Sequence, residues 1–197
     1  KPKVLHEIFN RPLVSWVLDA CEKINSFENI VIVGHKGEEV QDFINKKHPK
    51  SVCVFQKEQL GTGHAVSMAK DELKNFDGLA IILNGDIPLI TAKSLQKLVE
   101  FHQSNNADIT AITAILDDPK GYGRIIRDEN NHIKEIVEQK DCNATQDAVK
   151  EINVGMYCLN WQKVKGFFDD LKNDNSQNEY YLTDIIKWAN ENSYKTY

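Results

Sequence analysis

Gln56-Lys57-Glu58-Gln59-Leu60-Gly61-Thr62-Gly63-His64-Ala65 stands between an apolar run, Val52-Cys53-Val54-Phe55, and a stretch, Ala65-Val66-Ser67-Met68-Ala69, that starts like a helix. The apolar run reads as a buried strand. A strand, a glycine-punctuated turn and a helix in succession bring backbone close to an anionic ligand. Glycine has no side chain to block the approach, and the first N–H groups of a helix point outward unpaired. Gln56 ends the strand with an amide that both donates and accepts hydrogen bonds, as reading the edge of a base requires. Gly-x-Gly alone also fits a plain strand-to-helix turn. The ten-residue string is far more specific.

Upstream, Ile30-Val31-Ile32-Val33 is a continuous apolar run of the kind found in a parallel strand covered on both faces. Gly34-His35-Lys36-Gly37 turns the chain into a helix over Glu38 to Asn45. Before that, Pro12 suits a first helical position, and Leu13, Trp16, Val17, Ala20, Cys21 and Ile24 follow at helical spacing. Lys1 to Asn10 is a connecting segment that opens as though entered mid-domain. Downstream, Leu79 to Leu83 reads as a third buried strand, and Thr91 caps a helix over Ala92 to Asn105.

This alternation predicts right-handed β-α-β units and a parallel sheet. The second half differs: Asp108 to Leu116 and Glu151 to Leu159 read as strands, and Ile125-Ile126 with Ile133 to Val137 as a hairpin. Trp161 to Leu171 and Leu182 to Asn190 read as helices. The expected fold is α/β and Rossmann-like, with a mixed, mostly parallel sheet flanked by helices and a small antiparallel subregion over its edge. No repeat or low-complexity linker divides residues 1–197, so one domain is expected.

A chain of 197 residues can bury roughly 70% of its unfolded surface. Its net charge of −5, with no basic run longer than Asn45-Lys46-Lys47-His48, argues against a nucleic-acid partner. Cys21, Cys53, Cys142 and Cys158 are scattered without Cys-x-x-Cys, which fits reduced thiols in a cytoplasmic protein. No apolar run approaches the roughly 20 residues needed to span a bilayer, and no signal peptide is evident.

Asp86 is the most informative charge. It follows a strand end in Leu83-Asn84-Gly85-Asp86-Ile87-Pro88, and open α/β sheets bind ligands at the carboxyl ends of their strands. A carboxylate there suits Mg²⁺, which takes oxygen ligands and keeps several waters; an ordinary turn aspartate is the plain alternative. A dinucleotide fingerprint, a P-loop, zinc-type histidine spacing and a Gly-x-Ser-x-Gly elbow are all missing. Gly121-Tyr122-Gly123-Arg124 is a compact polar turn, and Glu138 ends a strand. Asn153, in Glu151-Ile152-Asn153-Val154-Gly155, interrupts an apolar strand with an amide that is costly unless paired, by a ligand or by backbone. Glu138 accepting from hydroxyls and Asn153 reading an amide would suit a sugar. Asn178-Glu179-Tyr180-Tyr181-Leu182-Thr183-Asp184 adds polar groups at a helix start and weighs less.

Taken together these strings resemble the pyrophosphorylase domain of bacterial N-acetylglucosamine-1-phosphate uridylyltransferases, which are sugar nucleotidyltransferases. The matching pieces are Pro2 to His6, Glu58 to Ala65, Gly85 to Pro88, Asp118-Pro119-x-Gly121-Tyr122-Gly123-Arg124, Ile136 to Glu138, Glu151-Ile152-Asn153-x-Gly155 and Glu179 to Asp184, in the family's order. The resemblance implies that UTP and N-acetylglucosamine 1-phosphate give UDP-N-acetylglucosamine and pyrophosphate with Mg²⁺, for peptidoglycan and lipopolysaccharide synthesis. By carry-over, Lys3 contacts phosphate; Gln56, Gly61 and Thr62 bind uracil; Asn84, Gly85 and Asp86 line the nucleotide-sugar site, with Asp86 on Mg²⁺. Gly123, Glu138 and Asn153 hold the sugar and its acetamido group, assisted by Tyr181 and Thr183.

Several departures accompany the match. The family's first strand and its triphosphate loop would precede Lys1, so the sheet is expected to have a gap in its middle and the chain to turn over slowly. A second Mg²⁺ ligand, an Asn, would follow Tyr197, and Asn84 stands where many relatives place Tyr. The family's left-handed β-helix, which carries the acetyltransferase activity and the trimer contacts, is not represented. Two alternatives stay open: a non-catalytic module that keeps the pocket, and a uridylyltransferase for another sugar 1-phosphate.

Overall fold

The chain, described over residues 1–197 in a computed structural model, starts with a 3-10 turn at Lys3–Leu5 and a short hairpin. Its strands are β1 (Glu7–Ile8) and β2 (Arg11–Pro12), and its tip residues Phe9 and Asn10 take positive φ. Helix α1 (Leu13–Lys23) buries Val14, Val17, Leu18 and Ala20 on one face and is followed by a left-handed Asn25. Then come β3 (Asn29–Val33), α2 (Gly37–Lys47) and β4 (Ser51–Phe55). β3 and β4 pair in parallel from Asn29–Ser51 to Val33–Phe55. Leu5, Val14, Leu18, Val33, Val40 and Ile44 form a small core for this half.

The glycine turn leads into α3 (Thr62–Ser67), followed by β5 (Leu79–Ile82) and α4 (Ala92–Ser104). Thr91 Oγ1 caps α4 by accepting the Ser94 N–H at 3.1 Å, as its position before the apolar-periodic run predicts. β6 (Ile109–Ile115), β7 (Arg124–Arg127), β8 (Ile133–Val137), α5 (Ala144–Asp147), β9 (Glu151–Asn160), α6 (Trp161–Val164) and α7 (Asp184–Glu191) complete the chain. The larger core, 14 buried residues including Ile109, Ile125, Ile136, Leu159, Trp161 and Ile185, sits in this half.

The expected mostly parallel sheet is corrected here. The largest sheet has five strands in the order β5-β9-β7-β8, with β6 also on β9, and every pairing in it is antiparallel. Among named strands only β3 and β4 run parallel. Strand-helix alternation reports that β5 follows a helix, but not which strand it joins; β5 takes the free edge of the ten-residue β9. Tyr157 pairs with Ile82 on one side and Ala111 on the other, so β9 is the central strand of this sheet. The two sheets are not hydrogen-bonded to each other, and residues of both β3 and β5 line one cleft between them.

β9 is also bulged. Its register with β6 jumps from Tyr157–Ala111 to Asn153–Thr113, so three residues of β9 face Ile112 alone. Gly155 lies at the centre with φ +79°, and a Cβ there would stand 2.9 Å from Asn84 Nδ2. Glycine at a positive-φ bulge is the low-cost choice.

Candidate active site

The glycine turn is tied from beneath by Gln56, a side chain only 8% exposed. Its Nε2 donates to the Gly61 carbonyl at 3.1 Å and lies 3.0 Å from His64 Nδ1. Both amide hydrogens are therefore used, His64 Nδ1 is the acceptor, and Gln56 Oε1 is the free end. Gly61 has φ +114°, and a Cβ on it would lie 2.6 Å from the Tyr180 carbonyl oxygen. Gly63 N–H donates to that same oxygen at 2.7 Å, Tyr180 N–H to Leu60 O at 2.8 Å, and Leu182 N–H to Thr62 Oγ1 at 3.0 Å. The room beside both glycines is thus filled by the Tyr180 backbone, where the sequence suggested an anion. The Glu179–Thr183 segment, weakly marked in the sequence, is the strap that shapes the loop.

Asn84, Gly85 and Asp86 follow the carboxyl end of β5. Lys3, from the opening 3-10 turn, places Nζ 2.5 Å from Asp86 Oδ2. The bond to Asp86 holds the Lys3 ammonium above its ordinary pKa. Asp86, about one-quarter exposed, thus already faces a cation. A partly exposed carboxylate just past the end of a strand fits the oxygen chemistry of Mg²⁺. A second group with metal-ligand geometry, Asp19, Glu22 and His48, gathers elsewhere, its ligand atoms within 4.8 Å of one another. Its members hold one another and their neighbours, Asp19 with Arg11 and His48 with Glu22 and Ser15, as Asp86 holds Lys3.

Opposite, Glu138 follows β8 and Gly123 precedes β7. A Cβ on Gly123 would crowd Ile136 at 3.3 Å and stand in ordinary contact, at 3.5 Å, with both Glu138 carboxylate oxygens, so the glycine lies directly against the acid. Glu138 Oε1 accepts from Thr183 Oγ1 at 3.3 Å. Burial raises the Glu138 pKa, and the negative charges of Asp141, Asp184 and Glu179 add to the rise. Tyr181 donates its hydroxyl to Asp141 at 3.2 Å. Arg124, 1% exposed, pairs with Asp147 at 2.8 Å and donates to the Tyr122 carbonyl, which fixes the Gly121–Gly123 turn. Asn153 Oδ1 accepts from the Gly155 N–H and the Tyr157 hydroxyl, each at 3.0 Å, leaving Nδ2 without a protein partner.

Lys3, Thr62, Asn84, Gly85, Glu138 and Asn153 are among the residues that line the cleft between the two sheets, whose other walls are apolar side chains of β3, β5 and α1. Gly61 and Asp86 adjoin Thr62 and Gly85 in the chain, Gly123 lies against Glu138, and Gln56 sits under Gly61. The residues that sequence reasoning missed are His64 and Tyr157, the partners that orient the two amides. His64 stood within the decisive string; Tyr157 had no local signal.

The nucleotidyl transferase family profile matches residues 1–197. The bifunctional protein GlmU of Caldanaerobacter subterraneus subsp. tengcongensis is 46% identical over 186 residues, covering 94% of this chain and 40% of that protein. GlmU of Gloeothece citriformis is 44% identical over 189 residues, covering 96% of this chain and 42% of that protein. The chain thus spans about two-fifths of the length of these relatives. Among solved structures, UDP-glucose pyrophosphorylase complexed with UDP-glucose aligns with a TM-score of 0.81 at 17% identity, over all of this chain and 81% of the other. HddC from Yersinia pseudotuberculosis complexed with GMP-PN aligns at 0.65 with 22% identity, over 93% and 74% of the two chains. Identities this low speak to the shared fold alone.

Proposed function

Because this chain belongs to the nucleotidyl transferase family, we propose that it forms a single nucleotidyltransferase domain and transfers UMP from UTP to N-acetylglucosamine 1-phosphate. The products are UDP-N-acetylglucosamine and pyrophosphate. The observation that carries this reading is that Thr62 of the Gln56-braced glycine turn, Lys3 of the Lys3–Asp86 pair, Glu138 and Asn153 all border the cleft between the sheets.

A phosphate oxygen of the sugar phosphate attacks the α-phosphorus, a new P–O bond forms, and the bond to the departing pyrophosphate breaks on the opposite side. No covalent enzyme intermediate is required, so the residues act by positioning and by neutralising charge. Lys3 offsets phosphate charge. Asp86 would hold Mg²⁺, which would supply further neutralisation of the phosphate oxygens. Gln56 Oε1 accepts from the uracil N3–H, with Gly61 and Thr62 framing the base. Asn84 and Gly85 line the path between base and sugar. Glu138 accepts from sugar hydroxyls over Gly123, supported by Thr183 and Tyr181, and Asn153 Nδ2 donates to the acetamido carbonyl. The structure has no helix long and apolar enough to cross a membrane, and we place the activity in the cytoplasm, where nucleoside triphosphates are made.

The test is pyrophosphate release from UTP, Mg²⁺ and N-acetylglucosamine 1-phosphate. Release that depends on the N-acetylated sugar is expected. Equal release with glucose 1-phosphate removes the acetamido reading, and release unchanged without Mg²⁺ removes the metal.

A further inference from the structure

Tyr157 is a large side chain in the middle of the core, 1% exposed, on the far side of the β9 bulge from Asn153. Along a regular strand, residues four apart share a face but stand about 13 Å from each other at 3.3 Å per residue. Here the bulge folds three residues out of register, and the Tyr157 hydroxyl reaches Asn153 Oδ1 at 3.0 Å. That is the only hydrogen bond its hydroxyl makes in the protein, so this costly buried group is satisfied by the Asn153 side chain alone.

The two donors on Asn153 Oδ1 do different jobs. The Gly155 N–H can only donate, so it decides which end of the amide is oxygen. The Tyr157 ring is locked by the core, so its hydroxyl decides where the amide plane lies. Together they fix Nδ2 as a donor of set position at the cleft wall. We propose that Tyr157 is a positioning residue that holds the Asn153 amide with its N–H end in the cleft, and thereby sets a preference for a sugar substituent ending in a carbonyl over a bare hydroxyl. An acetamido oxygen projects farther from the sugar ring than a hydroxyl does; a fixed donor meets the first, and only a tilting one follows the second. The inference rests on the sugar-phosphate reading of the cleft given above, and the variants below separate the two.

The experiment is calorimetric titration of the chain with UDP-N-acetylglucosamine, UDP-glucose and UDP, for wild type, Asn153→Ala, Asn153→Asp and Tyr157→Phe. One hydrogen bond of about 1 kcal/mol corresponds to roughly fivefold in affinity. Tyr157→Phe is expected to narrow the ratio between the two nucleotide sugars by about that factor, with UDP affinity unchanged within roughly twofold. Asn153→Asp keeps acceptors for both donors but offers none to the ligand, and is expected to abolish the preference. It also tests the outward donor should Tyr157→Phe fold poorly. A preference intact in Tyr157→Phe but lost in both Asn153 variants overturns the role of Tyr157. A preference intact in Asn153→Ala overturns the reading of the cleft itself, and this inference with it.

Discussion

Gln56 and Asn153 carry the same functional group in the two halves of the molecule, and the fold presents them in opposite senses. Gln56 spends both amide hydrogens on Gly61 O and His64 Nδ1 and keeps its oxygen. Asn153 spends its oxygen on Gly155 N–H and Tyr157 OH and keeps its hydrogens. The first belongs to the two-stranded parallel half, where a glycine loop is strapped to Tyr180; the second belongs to the antiparallel half, where a strand is bulged. An amide selects nothing until its neighbours decide which end a ligand meets. On the proposed reading, the selectivity of the cleft depends on His64 and Tyr157 as well as on the two amides they orient.

The strongest way to test that division is to remove chemistry that belongs to neither amide. Asp86→Ala is expected to lower pyrophosphate release by about a hundredfold or more, the size typical of losing a charge-stabilising group. The ratio of N-acetylglucosamine to glucose 1-phosphate use is expected to stay the same. A changed ratio would mean that Asp86 shapes the sugar end and that the comparison is drawn in the wrong place.

Gly61→Ala comes next. A methyl group at φ +114°, 2.6 Å from the Tyr180 oxygen, forces the loop off the strap; backbone strain of this kind costs about 1–3 kcal/mol. The KM for UTP is expected to rise about tenfold, while the sugar preference holds. His64→Ala removes the acceptor for one Gln56 hydrogen and lets the amide turn. Discrimination between UTP and CTP, whose ring N3 accepts where uracil donates, is expected to fall roughly fivefold, the worth of one hydrogen bond. It is the mirror of Tyr157→Phe at the other amide.

The two halves were unequally legible in the sequence. Gly61 and Gly63 sit within eight residues of the strand they follow, and Asp86 within four of its own, so local pattern sufficed to mark them. The helices α1, α2 and α4 were likewise legible, α4 also by its Thr91 cap. The face expected of α1 was only partly right: Val17 and Ala20 are buried as expected, with Val14 and Leu18 in place of Leu13 and Trp16. Strand partnership was not: β5 joins β9, 69 residues or more along the chain, because tertiary packing and not local alternation chooses an edge. Tyr157 was hidden for a related reason. Only a bulge brings it to Asn153, and the one sequence sign of a bulge is the glycine at 155, which also suits a plain turn. The stretch from Trp161 to Leu171 looked like one helix, yet it breaks after Val164 into a 3-10 turn over Lys165–Asp169.

The smallest expected effect concerns stability and bears on why the sugar end holds an acid at all. Glu138 is largely buried among Asp141, Asp184 and Glu179, and its pKa is raised. A raised carboxyl binds a proton more readily folded than unfolded, so folding is favoured at pH below the unfolded pKa and loses ground as pH climbs through the folded one. Above that, the ionised group is a standing cost to the fold, relieved only in part by Thr183. Glu138→Gln keeps the shape without the charge. Its thermal midpoint is expected to exceed that of wild type by a few degrees at neutral pH, with the gain shrinking to nothing as pH falls below the ordinary glutamate range. A gain that persists in acid would show packing, not charge, as its source. A gain confined to neutral pH, accompanied by weaker binding of UDP-N-acetylglucosamine, would place Glu138 with the strained groups kept for function, and would mark the sugar end as the half that gives up stability for its ligand.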